Sequence, residues 1–293
     1  MNSSLLKNSF FFFIACLLAA CMPDPLEVEN LPSAEPRVVV NTQLIPDKHV
    51  VVWLTKTFGA LEISDKTSGD STAQQEKLLN KIALNDATVT ITGPGVTDTL
   101  NFISYGVYGG IYLPFESGET YELKIQSELG QATASTKVKD QVKFKEVVTE
   151  SYMDSFNDLH VQVNYAISDP LEKNWYLVNA HKINSKKEDL IRNTINPVVF
   201  THLLDDAGFN GTDFTHEFEV RLEGYQPDDS LVVSLFNISE DYFHFMKMRS
   251  EQRASFLDFL SEPANYPTNV AGGKGFFTLF IPDVRIISLK EEE

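Results

Sequence analysis

The chain has 293 residues, with 41 Asp and Glu against 24 Lys and Arg, for a formal net charge of −17. Hydrophobic residues make up 43% and aromatics 11%, a globular composition that excludes a natively disordered chain. The negative balance argues against nucleic acid, whose phosphates need a basic face, and against electrostatic docking on anionic lipid.

Residues 1–20 carry one charge, Lys7, followed by an apolar run from Phe10 to Ala20 that is too short to span a bilayer. A basic start, a short apolar middle and small residues at the end make a secretory signal. Leu18-Ala19-Ala20 runs directly into Cys21, which matches the lipobox of bacterial lipoproteins. The chemistry this implies is a diacylglycerol in thioether linkage on Cys21, cleavage before it, and an N-acyl lipid on the new amino group. The only other cysteine, Cys16, lies in the part removed. The mature chain therefore has no intramolecular disulfide to form, and its one thiol is an anchor. Residues 21–34 are proline-rich and acidic, an extended tether. Met22, rather than Asp, follows the anchor cysteine, which favours the outer membrane.

At roughly 150 residues per domain the length predicts two domains. Two-residue alternation dominates from Arg37 onward, so the fold class expected is all-β. Strands are expected over 37–45, 50–58, 87–92, 99–105, 111–115, 121–126 and 132–138, with 64–72 a loop and a short helical turn over 77–83. About seven short strands make residues 35–140 an immunoglobulin-like β-sandwich. Gly118-Glu119-Thr120-Tyr121 resembles the turn-plus-tyrosine entry to a late strand of such domains. Tyr121, Leu123 and Ile125 then face the core.

Residues 141–293 are expected to form a second β-sandwich-like domain, with strands over 144–148, 159–167, 175–181, 214–222, 231–238 and 276–281. One helix interrupts it near 239–260, with Ser239 as N-cap and Glu240 and Asp241 suiting the positive end of the dipole. Gly272-Gly273-Lys274-Gly275 reads as a flexible turn.

The candidate chemistry is sparse. His216-Glu217-Phe218-Glu219-Val220 begins like a zinc-protease motif, but Val220 occupies the second histidine's place. Asp205, Asp206, Asn210 and Asp213 offer oxygen ligands for calcium without the order of an EF-hand loop, and Asn210-Gly211 is also a hairpin signal. No phosphate loop and no GxSxG elbow is present. Carboxylates paired in space for glycoside hydrolysis leave no sequence spacing to read. The aromatic residues read first as core filling. The exception is Ser104 to Tyr112, taken as a loop whose Tyr105, Tyr108 and Tyr112 form a ligand platform.

Several short segments carry a family resemblance. They are Glu35-Pro36-Arg37-Val38-Val39-Val40, Leu54-Thr55-Lys56-Thr57, Asp86-Ala87-Thr88-Val89 and Gly109-Gly110-Ile111-Tyr112. In the second half they are Asp169-Pro170, Asn174-Trp175-Tyr176, Phe209-Asn210-Gly211, Ile238-Ser239-Glu240-Asp241-Tyr242-Phe243 and Glu262-Pro263-Ala264-Asn265. In this order they resemble a family of Gram-negative outer-membrane lipoproteins, catalogued as domain of unknown function 4249. Its members have no assigned activity and are often encoded beside TonB-dependent outer-membrane transporters. The resemblance thus implies an accessory role in nutrient uptake or envelope assembly, with no catalytic residue carried over. The expected function is a lipid-anchored, non-enzymatic accessory or ligand-binding module without a cofactor. The alternatives are a surface hydrolase with spatially assembled carboxylates and a structural or adhesive surface protein.

Overall fold

The computed structural model describes residues 35–42, 49–58, 71–183, 198–222, 224, 226, 229–251 and 266–289. Eight strands and a helix come first in chain order: β1 (Val38–Thr42), β2 (His49–Lys56), α1 (Ser71–Ile82), β3 (Thr88–Gly93), β4 (Val96–Thr99), β5 (Asn101–Ser104), β6 (Val107–Tyr112), β7 (Thr120–Ser127) and β8 (Gly130–Lys137). Then follow β9 (Phe144–Met153), β10 (Leu159–Ser168), β11 (Trp175–Ile183), β12 (Val198–Asp205), β13 (Asp213–Leu222) and β14 (Ser230–Ile238). The chain continues through α2 (Glu240–Glu251), β15 (Val270–Ala271), β16 (Gly273–Phe276) and β17 (Asp283–Ser288). The described residues are all-β with two helices, as the alternation predicts.

Strands β1-β2-β6-β5 form one sheet and β8-β7-β3-β4 the other. Lettered A to G along the chain, these are A-B-E-D and G-F-C-C′, the strand order of an immunoglobulin-like sandwich. Val38, Val40, Val52 and Leu54 from the first sheet pack on Val89, Ile91, Leu123 and Ile125 from the second. Tyr121 enters β7 as expected: it is buried, and its hydroxyl accepts the Glu116 N–H at 3.0 Å, which pins the turn before strand F. Helix α1 covers the outer face of the first sheet, where Leu78, Leu79 and Ile82 meet Val51, Trp53 and Val107. It is longer than the single turn expected.

The second half repeats the plan. Strands β9, β10 and β13 form one sheet, and β12-β11-β14-β17 the other. In letters these are A-B-E and C′-C-F-G. The core lies between them, with Val161, Val163 and Val220 against Tyr176, Val178, Val233 and Leu235. Asn210-Gly211 does not make a hairpin. It joins β12 to β13 across the sandwich, because β12 pairs with β11 and β13 with β10.

The path between strands F and G of the second sandwich departs from a simple tandem. After β14 the chain forms α2, whose N-terminus is capped by Ser239; its Oγ accepts the Tyr242 N–H at 3.3 Å. The helix lays Tyr242, Phe243, Phe245 and Met246 against Leu177, Phe236 and Ile238 of the second sandwich. The chain then returns to the first sandwich. β15 pairs antiparallel with β8, and β16 pairs parallel with β1. Residues 270–276 thus belong to the first sandwich's sheets, which corrects the expectation of a continuous second domain over 141–293.

Gly272-Gly273-Lys274-Gly275 is not a flexible turn. Gly275 has a φ of 90°, and a Cβ built there would lie 2.0 Å from the Val40 carbonyl oxygen. Only glycine fits that approach. The expected last strand, 276–281, is strand only to Phe276, yet its alternation is real. Phe277 and Leu279 enter the core of the first sandwich, while Phe276 and Phe280 enter the cluster beneath α2. The chain alternates between two apolar clusters rather than between core and solvent. Residues Pro36–Glu293 cluster as one compact unit.

Candidate binding cleft between the sandwiches

A cleft of about 750 Å³ opens where the end of β8 and the linker after it meet the second sandwich. One wall is Ser135 to Val142. The other is formed by Pro170 to Glu172, Asn174 and Asn237, with Ser239 and Asp241 at the start of α2. The volume suits a small ligand or a short length of chain, and a junction between domains is a common place for one.

A knot of buried polar groups shapes the second wall. The Asp169 carboxylate receives the Tyr176 hydroxyl on one oxygen and the Gly211 N–H, at 2.8 Å, on the other. Burial, with that carboxylate next to it, holds the Tyr176 phenol far above its usual range. The fully buried Asp206 accepts the Asn174 backbone N–H. Lys173 Nζ stands 2.7 Å from Asp206 Oδ1 and also pairs with Asp205. To Asp206 it is an ion pair rather than an aligned hydrogen bond, since that oxygen has no hydrogen bond of normal geometry. Lys173, held first by Asp205 and then by Asp206, keeps its ammonium above the ordinary lysine range. Three of the short segments noted in the sequence, at Asp169, Asn174 and Gly211, are therefore the parts of one loop assembly.

Asn237 is the residue of most interest. It lies near the end of a strand whose other polar residues are Ser230 and Ser234, and it is 6% exposed. Its Nδ2 donates to the Asp140 carbonyl at 3.0 Å and to Asn174 Oδ1 at 2.9 Å. Two acceptors on one nitrogen fix the orientation of the amide. Its Oδ1 is buried and has no hydrogen-bond partner among the described residues. A buried acceptor left unmade is costly, and this one belongs to a residue lining the cleft. Sequence reasoning missed it, although an amide in the mostly apolar stretch Leu231 to Ile238 was a legible signal.

The residues singled out from the sequence fare differently. Ser104 to Tyr112 is a strand pair, β5 and β6, not a loop. Tyr108 is 1% exposed, its hydroxyl donating to the Leu84 carbonyl and accepting the Ala87 N–H. It is a core residue, because strand E turns it inward, and burial raises its phenol pKa. Tyr105, at φ 45°, sits in the turn, and its carbonyl accepts the Trp53 indole N–H at 2.8 Å. Tyr112 stands opposite His49 in the ladder. With Tyr108 in the core, the expected platform of three tyrosines is not available.

The calcium reading is also corrected. Asp205 and Asp206 share Lys173, and Asp213 is taken by Lys145, which lowers the Asp213 pKa. Asn210 is exposed. No group of three or more His, Cys, Asp or Glu among the described residues could hold a metal ion. His216 sits on a strand, 4.1 Å ring to ring from His202, whose Nδ1 lies 3.0 Å from the Tyr165 hydroxyl. Cys21 lies outside the described residues.

Fold and cleft together define a class: an all-β protein of two immunoglobulin-like sandwiches fastened by a returning segment, with a polar cleft at their junction. The model of the family described as Domain of unknown function (DUF4249) matches residues 24–282, and the chain belongs to that family. Comparison with curated proteins finds no match. Among solved structures, a two-domain fibronectin type III segment of chicken tenascin is 10% identical at a TM-score of 0.20, covering 69% of this chain and 91% of that one. The alpha chain of the chicken interferon gamma receptor is 11% identical at a TM-score of 0.18, covering 70% and 90%. The fold assignment rests on the strand order described above.

Proposed function

We propose that this protein is a lipid-tethered, non-enzymatic binding module of the outer membrane, working beside a TonB-dependent transporter and binding through the cleft between its sandwiches. The observation that carries the reading is the buried, unpartnered Asn237 Oδ1 on the cleft wall. The anchor rests on Leu18-Ala19-Ala20-Cys21, with a covalent diacylglycerol and an N-acyl lipid on Cys21. At about 0.8 kcal/mol per buried CH₂, several acyl chains give effectively permanent attachment. Among the described residues no helix is long and apolar enough to cross a membrane, so attachment in this reading falls to the lipid. No observation favours the hydrolase or the adhesive alternative.

The test has two parts. The Cys21→Ala chain is expected in the soluble fraction of broken cells, and one that stays with the membrane contradicts lipid tethering. The wild-type protein, purified from detergent-solubilised outer membrane, is expected to bring a β-barrel transporter with it. Recovery of the protein alone contradicts docking.

A further inference from the structure

We infer that the ligand of this cleft is an extended peptide segment of a partner protein, bound as an added strand on the free edge of β8. The inference rests on the proposal that the cleft binds a ligand and adds what that ligand is.

Strand β8 is the outer strand G of its sheet and is paired on its far side by only two residues: Val270 opposite Ala134 and Ala271 opposite Thr133. Beyond them the ladder is continued by a side chain. Asn269 Nδ2 donates to the Ser135 carbonyl at 3.0 Å, where the next strand residue would have donated. There it stops, at the mouth of the cleft.

The direction of the remaining backbone groups follows from alternation in an antiparallel ladder. Val138 N–H donates to the Glu119 carbonyl, and its own carbonyl accepts the Gly118 N–H, both at 2.9 Å. Val138 therefore faces β7, and Lys137 and Ser135 face away from it. Gln131, in the same phase, turns its carbonyl toward Gly272 on the β15 side. The Ser135 N–H also faces that side, but the pairing of Val270 with Ala134 engages it with the Asn269 carbonyl. Both backbone groups of Lys137 point toward the cleft, and no described strand pairs with Lys137 on that side.

The opposite wall supplies what such a strand would need. Asn237 is held beside this edge by its bond to the Asp140 carbonyl, which fixes that wall against the end of β8. Leu171, 85% exposed on the rim, offers an apolar contact for one side chain. Among the described residues, the only aromatic side chain lining the cleft is Phe276, which is 4% exposed. A ring so covered gives a sugar no stacking platform, which favours the peptide. An exposed strand edge with a pocket beside it is the arrangement of strand-addition recognition, in which main-chain bonds give affinity and the pocket gives specificity.

The test uses the full mature chain in detergent. A phage-displayed library of random decapeptides is panned on it, and the selected peptide is made with free and with alternately N-methylated amides. Maltoheptaose and laminarihexaose are tried in parallel by thermal shift. The inference expects the free peptide to bind and N-methylation to weaken it at least about tenfold, one lost main-chain rung or more. It also expects amide exchange at Lys137 to slow at least about tenfold on binding, and Lys137→Pro to lose affinity. Proline is tolerated on the outer side of an edge strand, and the exchange measurement on the wild-type chain stands without the variant. A peptide that binds with exchange at Lys137 unchanged overturns the inference. So does oligosaccharide binding with no peptide binding, which leaves the binding-module reading standing. Binding of neither probe overturns both.

Discussion

In the first sandwich the A and G edges are both occupied, β16 running parallel to β1 and β15 antiparallel to part of β8. In the second, the three-stranded sheet ends at β9 and β13, with no further described strand on either. Those two edges are guarded by charge instead: Lys145 pairs with Asp213 across the sheet, and Arg221 pairs with Asp158. Charged side chains on an edge discourage pairing with another chain. The comparison teaches that one strand order admits two ways of finishing a sheet. Where a returning segment covers an edge it also ties two domains together, and where it covers only part of an edge it leaves a docking place.

The strongest way to break this arrangement is to remove the tie. Phe277 is fully buried in the core of the first sandwich, although it lies on the path between strands F and G of the second. Phe277→Ala should cost about 3–5 kcal/mol, measured by urea unfolding, and should lower the stability of both sandwiches. A loss confined to the second would show that the segment does not hold the first.

Gly275→Ala should cost about 2 kcal/mol or more, from the positive φ and the contact with the Val40 carbonyl. It should act by detaching β16 from β1, seen as faster amide exchange in β1 with exchange in β10 and β11 unchanged. Equal effects on both would argue that the glycine is only one more buried position.

A smaller effect sharpens the difference between the halves. Burial lowers the pKa of His181 to about 4, and burial together with neighbouring His216 lowers His202 to about 4. Both lie in the second sandwich. A histidine whose folded pKa is depressed contributes stability above its unfolded value near 6.5 and loses it as the pH falls toward 4. Buried His181 alone should cost about 1.4 kcal/mol for each pH unit within that window. His160 works in the opposite sense. Glu219 first and then Asp154 raise its pKa, so its contribution is full below 6.5 and fades as the pH rises through the raised value. A flat stability profile between pH 6.5 and 4 would contradict the burial of the two imidazoles.

Much of the fold was legible because most strands alternate between core and solvent, as Tyr121, Leu123 and Ile125 do against Glu122 and Lys124. β4, β12 and β17 escaped notice. β12 follows a stretch without clear alternation, and β17 leaves Ile286 71% exposed. The path of 270–280 could not be read at all, because Gly275 owes its place to a carbonyl at Val40 and Phe277 to a core built far earlier in the chain. The cleft was hidden for the same reason: Asn237 meets Asn174 and Asp140 only in space. Tyr108 misled because glycine and tyrosine in a hairpin resemble a loop, while strand E turns the ring inward.

The measurement that bears most directly on the fastening of the two sandwiches, and so on the fixed geometry of the cleft, uses the two tryptophans. Trp53 lies in the first sandwich and Trp175 in the second, and the chain has no others. Thermal unfolding followed by fluorescence in Trp53→Phe and Trp175→Phe reports each half separately. After correction for the cost of each substitution by circular dichroism of the same variants, the two midpoints should coincide. Two midpoints that stay apart would mean that the sandwiches unfold independently and that the segment from Tyr266 to Pro282 does not make them one body.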